Sequence, residues 1–431
     1  MGATQRLDSF RKLLAHARER LGLDMGFVLW DDSTIPADLA PDALAISIAD
    51  EGVVAALIRR PNADTLTNLW AAGRIDIRNG SIFDLVARRP KVRSKKFFRS
   101  LDKRLSLETV LKFVLVSRGG PWPLENIKTD RPSQRDAVED KENVHYHYDA
   151  SNAFYSLWLD KEMIYTCAYF HDWNEDIDTA QKNKLDMVCR KLRLKAGETM
   201  LDLGCGWGGL VIHAAQNYGV RSYGVTLAEE QARYAQEKIK RLGLEDRAKV
   251  ECKDYASVEG EFDKVSAICI LEHVGAANFR IFFETVRRSL KPGGLFLNQA
   301  IARPAKRDDK TFSKKNPEYA ALTKYVFPGT ELDYIGRTVS NLERYGFEVH
   351  DVESWREHYQ LTCRLWHDRL LANREAAEHE VGVVTYRVWL AYLAGVSIAF
   401  ERNTALLFQT LASPRKRGPS GLPPTRADLY R

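Results

Sequence analysis

From Thr179 to Ile301 the chain alternates between short apolar runs and longer stretches with helical spacing. A helix over Ala180–Leu192 leads into an apolar strand, Thr199–Leu203. The strand Arg221–Val225, the helix Glu229–Leu242 and strands at Ala248–Cys252 and Lys264–Ile270 follow. A helical pattern over Asn278–Leu290 is stopped by Lys291-Pro-Gly-Gly, which hands over to the strand Leu295–Ile301. Strands alternating with helices predict an α/β fold with a doubly wound, Rossmann-type parallel sheet. Residues 1–116 read as a separate, small α/β domain. Its predicted helices are Gln5–Leu21, Gly52–Arg59, Asp64–Ala72 and Ile82–Val86, and its predicted strands are Gly26–Trp30, Ala43–Ala49 and Arg74–Arg78. Residues 117–140 carry Gly, Pro and charge without periodicity and read as a linker. The Rossmann-type domain then spans 141–412, and the Pro-, Gly- and Arg-rich stretch 413–431 reads as a disordered tail.

Composition narrows the class. The chain has 431 residues, 45% hydrophobic and 28% charged, enough to bury a sizeable core and too apolar for wholesale disorder. The longest nearly apolar stretch, Val388–Phe400, is shorter than the roughly 20 residues that a spanning helix needs. The first residues lack the apolar block of a signal peptide, and the six cysteines form no CxxC or Cys/His cluster. A reducing, cytoplasmic setting is therefore expected, with neither a disulfide framework nor a metal site. Net charge is +6, and it is concentrated. Between Arg88 and Arg104 there are nine Lys/Arg against one Asp, around Phe97-Phe98. Such a run is either a solvated linker or a surface for an anionic partner.

The strongest chemical signal is MLDLGCGWGG, Met200–Gly209, a strand followed by glycines at the opening of a helix. Gly204 and Gly206 let the chain turn sharply and let a ligand approach the backbone. Gly204, Gly206 and Gly209 also fit the spacing of a dinucleotide site, which calls for a carboxylate about 20 residues on. The next strand ends instead in GVTLAEEQ, offering Thr226, Leu227 and Gln231. Neutral groups can hold a ribose diol. Asp202 can face an ammonium, and Asp254-Tyr255 at the following strand end offers an acceptor and an aromatic face for adenine. An amino acid, a ribose and an adenine without a pyrophosphate describe S-adenosylmethionine.

Further stretches carry a family resemblance. VHYHYDASNAFYSLWLDKEMIYTCAYF (Val144–Phe170), ILEHVGAANFRIFF (Ile270–Phe283), KYVFPGTEL (Lys324–Leu332) and REHYQLT (Arg356–Thr362) resemble, in this order, segments of the cyclopropane-fatty-acyl-phospholipid and mycolic acid cyclopropane synthases. The resemblance covers roughly Asn143 to Leu411. More weakly, residues 1–116 resemble the lipid-binding domain of the phospholipid-acting members. The resemblance implies that Tyr165 and Thr166 cover the cofactor above Gly204 and Gly206. It also implies a bicarbonate ion near the transferred methyl, held by Cys167, Glu272, Ile301, Tyr359 and a histidine. Gln299 stands at the histidine position, which makes the bicarbonate conditional. Val396 stands where many members have a cysteine.

The resemblance thus implies methylene addition to the cis double bond of an unsaturated phospholipid acyl chain. An isolated alkene is a weak nucleophile and must be held in line with the methyl donor in a dry pocket. The carbocation formed can be stabilised by aromatic faces, with Trp158, Tyr165, Tyr169, Phe170 and Tyr359 as candidates. Glu272 would balance the positive charge. An alternative resolves the same cation into a methyl-branched or methylene-bearing chain, and Gln299 keeps it open because an amide does not titrate as histidine does. A non-catalytic lipid-binding protein is a rival from another class. An RNA methyltransferase would also explain the basic run, but no RNA module is visible. The expected partners are therefore an anionic phospholipid surface, met from the inner face of the membrane, and no nucleic acid; homodimerisation is left open.

Overall fold

The computed structural model describes residues 2–88, 101–125, 151–314, 324–326 and 330–430. The basic run is outside the described residues from position 89 to 100, as are positions 144–150 and 327–329 of the family-like segments. The chain divides into two compact units, one formed by Met1–Lys128, Pro317–Ala321 and Gly382–Ala394, the other by Thr129–Asn316, Leu322–Val381 and Gly395–Arg431.

In the first unit four short strands, β1 (Gly26–Val28), β2 (Thr34–Ile35), β3 (Ala45–Ile48) and β4 (Ile75–Arg78), form a sheet in the order β2-β1-β3-β4. Helices Ala3–Leu21, Glu51–Arg59, Ala63–Ala71, Ile82–Ala87 and Lys103–Phe113 accompany it. Phe10, Phe27, Leu29, Ile35, Val53, Leu69 and Phe113 form its core. The helix Lys103–Phe113 was not read from the sequence, because its cations mask the turn Asp102 caps by accepting from the Arg104 and Leu105 amides.

The unit runs past the expected boundary at residue 116. Trp122 takes the Arg74 and Arg118 guanidinium groups against its ring, Leu124 is buried, and the Leu124 amide donates to Asn68. The first part of the expected linker is therefore built into this unit. So is Gly382–Ala394, where buried Arg387 donates to the Trp70 carbonyl and to Asp76. These residues belong to the helix Arg374–Glu401, which is long and apolar enough to cross a membrane by length and composition. Its apolar window is 56% buried within the protein, and Gly382 breaks its helical backbone.

The second unit is built on a seven-stranded sheet in the order β10-β11-β9-β8-β5-β6-β7. Its strands are β5 (Thr199–Leu203), β6 (Arg221–Thr226), β7 (Ala248–Cys252), β8 (Phe262–Ile268), β9 (Leu290–Ala302), β10 (Phe347–Ser354) and β11 (Leu406–Pro414). Strands β7, β6, β5, β8 and β9 are parallel neighbours, as the strand–helix rhythm predicts. The sheet is nonetheless mixed, because β11 pairs antiparallel with both β9 and β10. The helix Ile177–Lys191 precedes β5, and the helices Gly209–Tyr218, Glu229–Arg241 and Phe279–Arg288 lie in the connections β5–β6, β6–β7 and β8–β9. One core holds Leu201, Val265, Phe282, Phe283 and Phe296; another holds Leu185, Val188, Met200 and Leu297.

Two readings are corrected here. Pro292, Gly293 and Gly294 lie inside β9 instead of preceding it, and the β8–β9 register shifts between Phe262 and Lys264. The tail from Ser413 is ordered where disorder was expected. Ser413 and Pro414 close β11, Arg426 pairs with Asp351 at 2.8 Å, Asp428 pairs with Arg193 at 3.0 Å, and Leu429 is buried. Composition favours disorder when the stretch is read alone, but these distant partners anchor it.

Candidate active site

The C-terminal ends of the parallel strands are where a doubly wound sheet opens to a ligand. Asp202 sits near the end of β5, almost fully buried, with its Oδ1 accepting from the Ser266 hydroxyl at 2.6 Å. Burial pushes its carboxyl up to about 7, against the opposing pull of Ser266 and of the Lys184 charge. The turn that follows needs glycine. Gly204 has φ +72°, and a Cβ there would come within 2.2 Å of Ile270 Cγ2. Gly206 has φ +54°, but a Cβ there would meet nothing within 4 Å. The first glycine is required by the packing of the protein itself, whereas the second leaves open room above the backbone.

At the end of β6, the Thr226 hydroxyl donates to Gln231 Oε1 at 2.8 Å, and both residues are buried. The two neutral groups therefore form one unit, and Leu227 lies between them in sequence with its carbonyl taking the Cys252 thiol. At the end of β7, Asp254 Oδ1 accepts from the Ala256 amide and caps a short helical turn. The Tyr255 ring packs edge-on against Phe282, at 5.7 Å between centroids. Asp254 thus has a local structural task, and Tyr255 turns toward the core beside the site.

Tyr165 and Thr166 lie on a segment that the helix Ile177–Lys191 holds down. Gln181 Nε2 donates to the Thr166 carbonyl at 2.7 Å, and Lys184 Nζ donates to the Thr166 hydroxyl at 3.1 Å. Both side chains are buried. The Lys184 ammonium is lowered by burial and supported by Asp160. Neither Gln181 nor Lys184 was singled out from the sequence, since at helical spacing they read as a solvated face. Tyr165 stacks into an aromatic group with Trp158 (5.2 Å), Tyr155 (5.7 Å) and Trp366 (5.2 Å), and Trp366 reaches Tyr359 at 6.1 Å. Trp158, Tyr165 and Tyr359 are thus brought together. Tyr169 and Phe170 pack instead around His358, at 4.7 and 6.2 Å.

Beyond β8 lies the acidic segment. Glu272, in the short helix Leu271–Val274, is 4% exposed, and its Oε1 accepts from the Ile301 amide. Its Oε2 has no hydrogen-bond partner among the described residues. Burial pushes the carboxyl up to about 7. Cys167 is fully buried, with its thiol against the Ala168 and Trp355 carbonyls and raised by burial. The Ala168 amide donates to Thr362, which ties Cys167 to the helix Arg356–Ala372 carrying Tyr359.

Gln299 on β9 is fully buried and donates from Nε2 to Cys269 Sγ at 3.4 Å. Cys269, with φ 57°, lies just past β8, three residues before Glu272; its amide donates to the Gln299 carbonyl at 2.7 Å, and burial and the Glu272 carboxylate raise its thiol. Cys269 thus joins Gln299 to Glu272, although no local motif in the sequence marks it. The arrangement is a buried anion-capable centre, an aromatic wall and a glycine turn at the C-terminal ends of the parallel strands.

The profile of the mycolic acid cyclopropane synthetase family matches residues 135–410. The chain is 34% identical over 422 residues to a probable fatty acid methyltransferase of Pseudomonas putida, covering 97% of this chain and 99% of the relative. It is 34% identical over 267 residues to the cyclopropane-fatty-acyl-phospholipid synthase of Escherichia coli, covering 62% and 66% of the two chains. The solved mycolic acid cyclopropane synthase CmaA1 complexed with SAH and CTAB superposes with a TM-score of 0.60 at 28% identity, over 66% of this chain and 99% of that one. With a profile match over most of its length and a relative matched nearly end to end, this chain belongs to the mycolic acid cyclopropane synthetase family of methyltransferases.

Proposed function

We propose that this protein transfers a methyl group from S-adenosylmethionine to a cis double bond in an unsaturated phospholipid acyl chain and closes the product to a cyclopropane. The observation that carries this reading is Glu272, a buried carboxylate with one oxygen fixed by Ile301 and the other without a partner among the described residues. Such a group has a reason to be buried only if something cationic or proton-bearing meets it. A relative named cyclopropane-fatty-acyl-phospholipid synthase supports the substrate class.

The cofactor fits the residues present. Gly206 leaves open room above the backbone, the Thr226–Gln231 pair is neutral and suits a diol, and Asp202 is buried at the strand end. When bound, the cofactor supplies an electrophilic methyl group. Gln181 and Lys184 hold Tyr165 and Thr166 over the site. The wall of Trp158, Tyr165, Trp366 and Tyr359 excludes water and offers π faces to a cation without capturing it. Cyclopropane closure requires a proton to leave the added methyl group, and Glu272 would orient a bicarbonate ion as the base that takes it and balance the positive charge.

A second reading is favoured by Gln299. An amide accepts no proton at ordinary pH, so a site lacking the family's histidine can resolve the cation differently: a 1,2-hydride shift followed by loss of a proton from the added methyl gives a methylene-bearing chain, and loss of the proton on the methyl-bearing carbon gives a methyl-branched alkene. The P. putida relative named probable fatty acid methyltransferase is compatible with it. The test is expression in a host without modified acyl chains. A ring and an isomeric methylene have the same mass, so proton NMR and mild hydrogenation of the extracted fatty acids must separate them. Upfield ring protons that survive hydrogenation are expected. Terminal methylene protons, or an alkene bearing an added methyl, lost on hydrogenation would support the second reading, and fatty acids with only the unmodified cis double bond would defeat both.

The substrate double bond lies within a bilayer, so the protein needs a docking surface, which we place on the helix Lys103–Phe113. Its Thr109 and Phe113 are buried, whereas Leu107 and Leu111 on it are 60% and 63% exposed, and Leu115, just past its end, is 92% exposed. The basic run leads directly into this helix, and the charge suits an anionic headgroup layer on the inner face of the membrane. Replacing Leu107, Leu111 and Leu115 by Gln is expected to reduce sedimentation with anionic vesicles at all salt concentrations. Reversing Arg93, Lys95, Lys96 and Arg99 to Glu should act most at low salt, since the attraction is screened over about 10 Å at 0.1 M. Cofactor binding should be unchanged in both. Wild-type sedimentation of both variants would remove this surface.

A further inference from the structure

A row of polar side chains crosses three strands behind the reacting centre. Glu353 on β10 is the register partner of Gln409 on β11, and Gln409 is the register partner of Gln299 on β9. Lys191, at the end of the helix Ile177–Lys191, enters the row from the side. It pairs with Glu353, donates to Gln409 Oε1 at 2.6 Å and lies 5.0 Å from the Trp355 ring centroid. Gln409 Nε2 donates to Gln299 Oε1 at 2.8 Å, and Gln299 Nε2 donates to Cys269 Sγ at 3.4 Å. Lys191, Gln409 and Gln299 are each at most 2% exposed.

The direction of this chain follows from the chemistry of its end. An amide can present either its oxygen or its nitrogen, but an ammonium group only donates. Lys191 therefore requires the Gln409 oxygen to face it, which sends the Gln409 nitrogen toward Gln299. Gln299 must then receive with its oxygen, and its N–H donors are left facing Cys269, on the side of Glu272 and Cys167. Turning either amide over would set donor against donor in a buried place, a loss of about 1–3 kcal/mol per unmet group.

We propose that Lys191 and Gln409 are positioning residues that hold Gln299 as a hydrogen-bond donor, and never an acceptor, toward the reacting centre. A donor there suits an anionic or lone-pair-bearing group beside Glu272. The amide keeps the donating function that a neutral imidazole would have and gives up its ability to take a proton. This inference rests on the acyl-methyltransfer reading, and the experiment separates the two.

Turnover is measured on vesicles of phosphatidylglycerol carrying one cis-unsaturated acyl chain, beside cofactor affinity and thermal stability. Gln409→Glu is nearly isosteric and keeps an acceptor for Lys191, but it takes away the donor to Gln299, whose amide must then turn over. The expected result is a fall in kcat of about tenfold or more, with cofactor affinity and melting temperature close to wild type. Unchanged kcat in a folded Gln409→Glu variant would overturn the proposal. Should that variant not fold, Lys191→Met removes the donor that sets the direction. Lower kcat at unchanged cofactor affinity is again expected, and wild-type kcat again overturns the proposal. If the wild-type enzyme modifies no unsaturated lipid, the functional reading fails. The relay is then judged by glutamine-selective NMR, where the Gln299 side-chain amide signals must shift in Gln409→Glu, and unshifted signals reject it.

Discussion

Glu272→Gln is expected to cut turnover by about a hundredfold or more while leaving cofactor affinity at the wild-type level. The Gln oxygen can still receive the Ile301 amide, so the local fold has no reason to change. What is lost is a negative charge in a buried place, and only a cationic transition state feels that loss. The same substitution should stabilise the protein. Glu272 has its carboxyl raised from 4.5 to about 7 by burial, so the fold favours the neutral form. Its native stability is then fully present below pH 4.5 and falls as pH rises toward 7, by roughly 3 kcal/mol for an isolated group. An amide does not pay this cost, although its own unmet donors offset part of the gain, leaving about 1–2 kcal/mol. Melting temperatures of variant and wild type should therefore separate above pH 7 and converge near pH 4.5. A matching loss of cofactor affinity would move Glu272 into the cofactor site, and a lower melting temperature at pH 8 would contradict its burial as a charge.

Gly204→Ala and Gly206→Ala should part company. Both glycines have positive φ, which costs an alanine about 1–2 kcal/mol. At Gly204 the new methyl would also lie 2.2 Å from Ile270 Cγ2, far inside the roughly 3.5–4.0 Å of an ordinary carbon contact. Ile270 is β-branched and directly precedes the helix that carries Glu272, so it cannot yield without moving that carboxylate. Gly204→Ala is expected to lower the melting temperature and to abolish both cofactor binding and turnover. At Gly206 nothing opposes the methyl, so the protein should fold with only the backbone cost. Its cofactor affinity should nonetheless drop about tenfold or more, a loss of at least about 1.4 kcal/mol, because the methyl fills the room above the turn. Titration with S-adenosylhomocysteine, with melting curves alongside, measures both. Wild-type affinity in Gly206→Ala would mean that the cofactor does not lie on this turn.

The parallel half of the large sheet was legible because its signal is local. Each of β5 to β9 is a short apolar run bounded by a helix with its own periodicity, and such runs can bury themselves only in a doubly wound sheet. The glycine turn was legible for the same reason, since positive φ at Gly204 and Gly206 is a demand that one or two residues make by themselves. Strands β10 and β11 were not legible. Val352 is 40% exposed at one edge, and β11 alternates no more clearly than a loop until β9 and β10 close on it from both sides. The tail was misread for a related reason: Leu429 and Asp428 acquire their partners from residues more than two hundred positions away.

The site divides along the same line. Local chemistry in the sequence determined the Rossmann-type half-sheet and the glycine turn, whereas Glu272 and Cys167 were singled out by the family resemblance of the segments they lie in. Tertiary structure alone decided that Asp254 and Tyr255 serve a cap and a core contact, that Tyr169 and Phe170 pack apart from Trp158 and Tyr165, and that Gln299 faces Cys269 as a donor. It also brought in Gln181, Lys184, Lys191 and Gln409, polar residues that a helix or strand reading assigns to solvent. A chain's propensities are set by neighbours a few positions apart. The direction of a buried hydrogen bond is set by whichever group the fold brings to its other end, and here that group is an ammonium 218 positions from the amide that accepts from it.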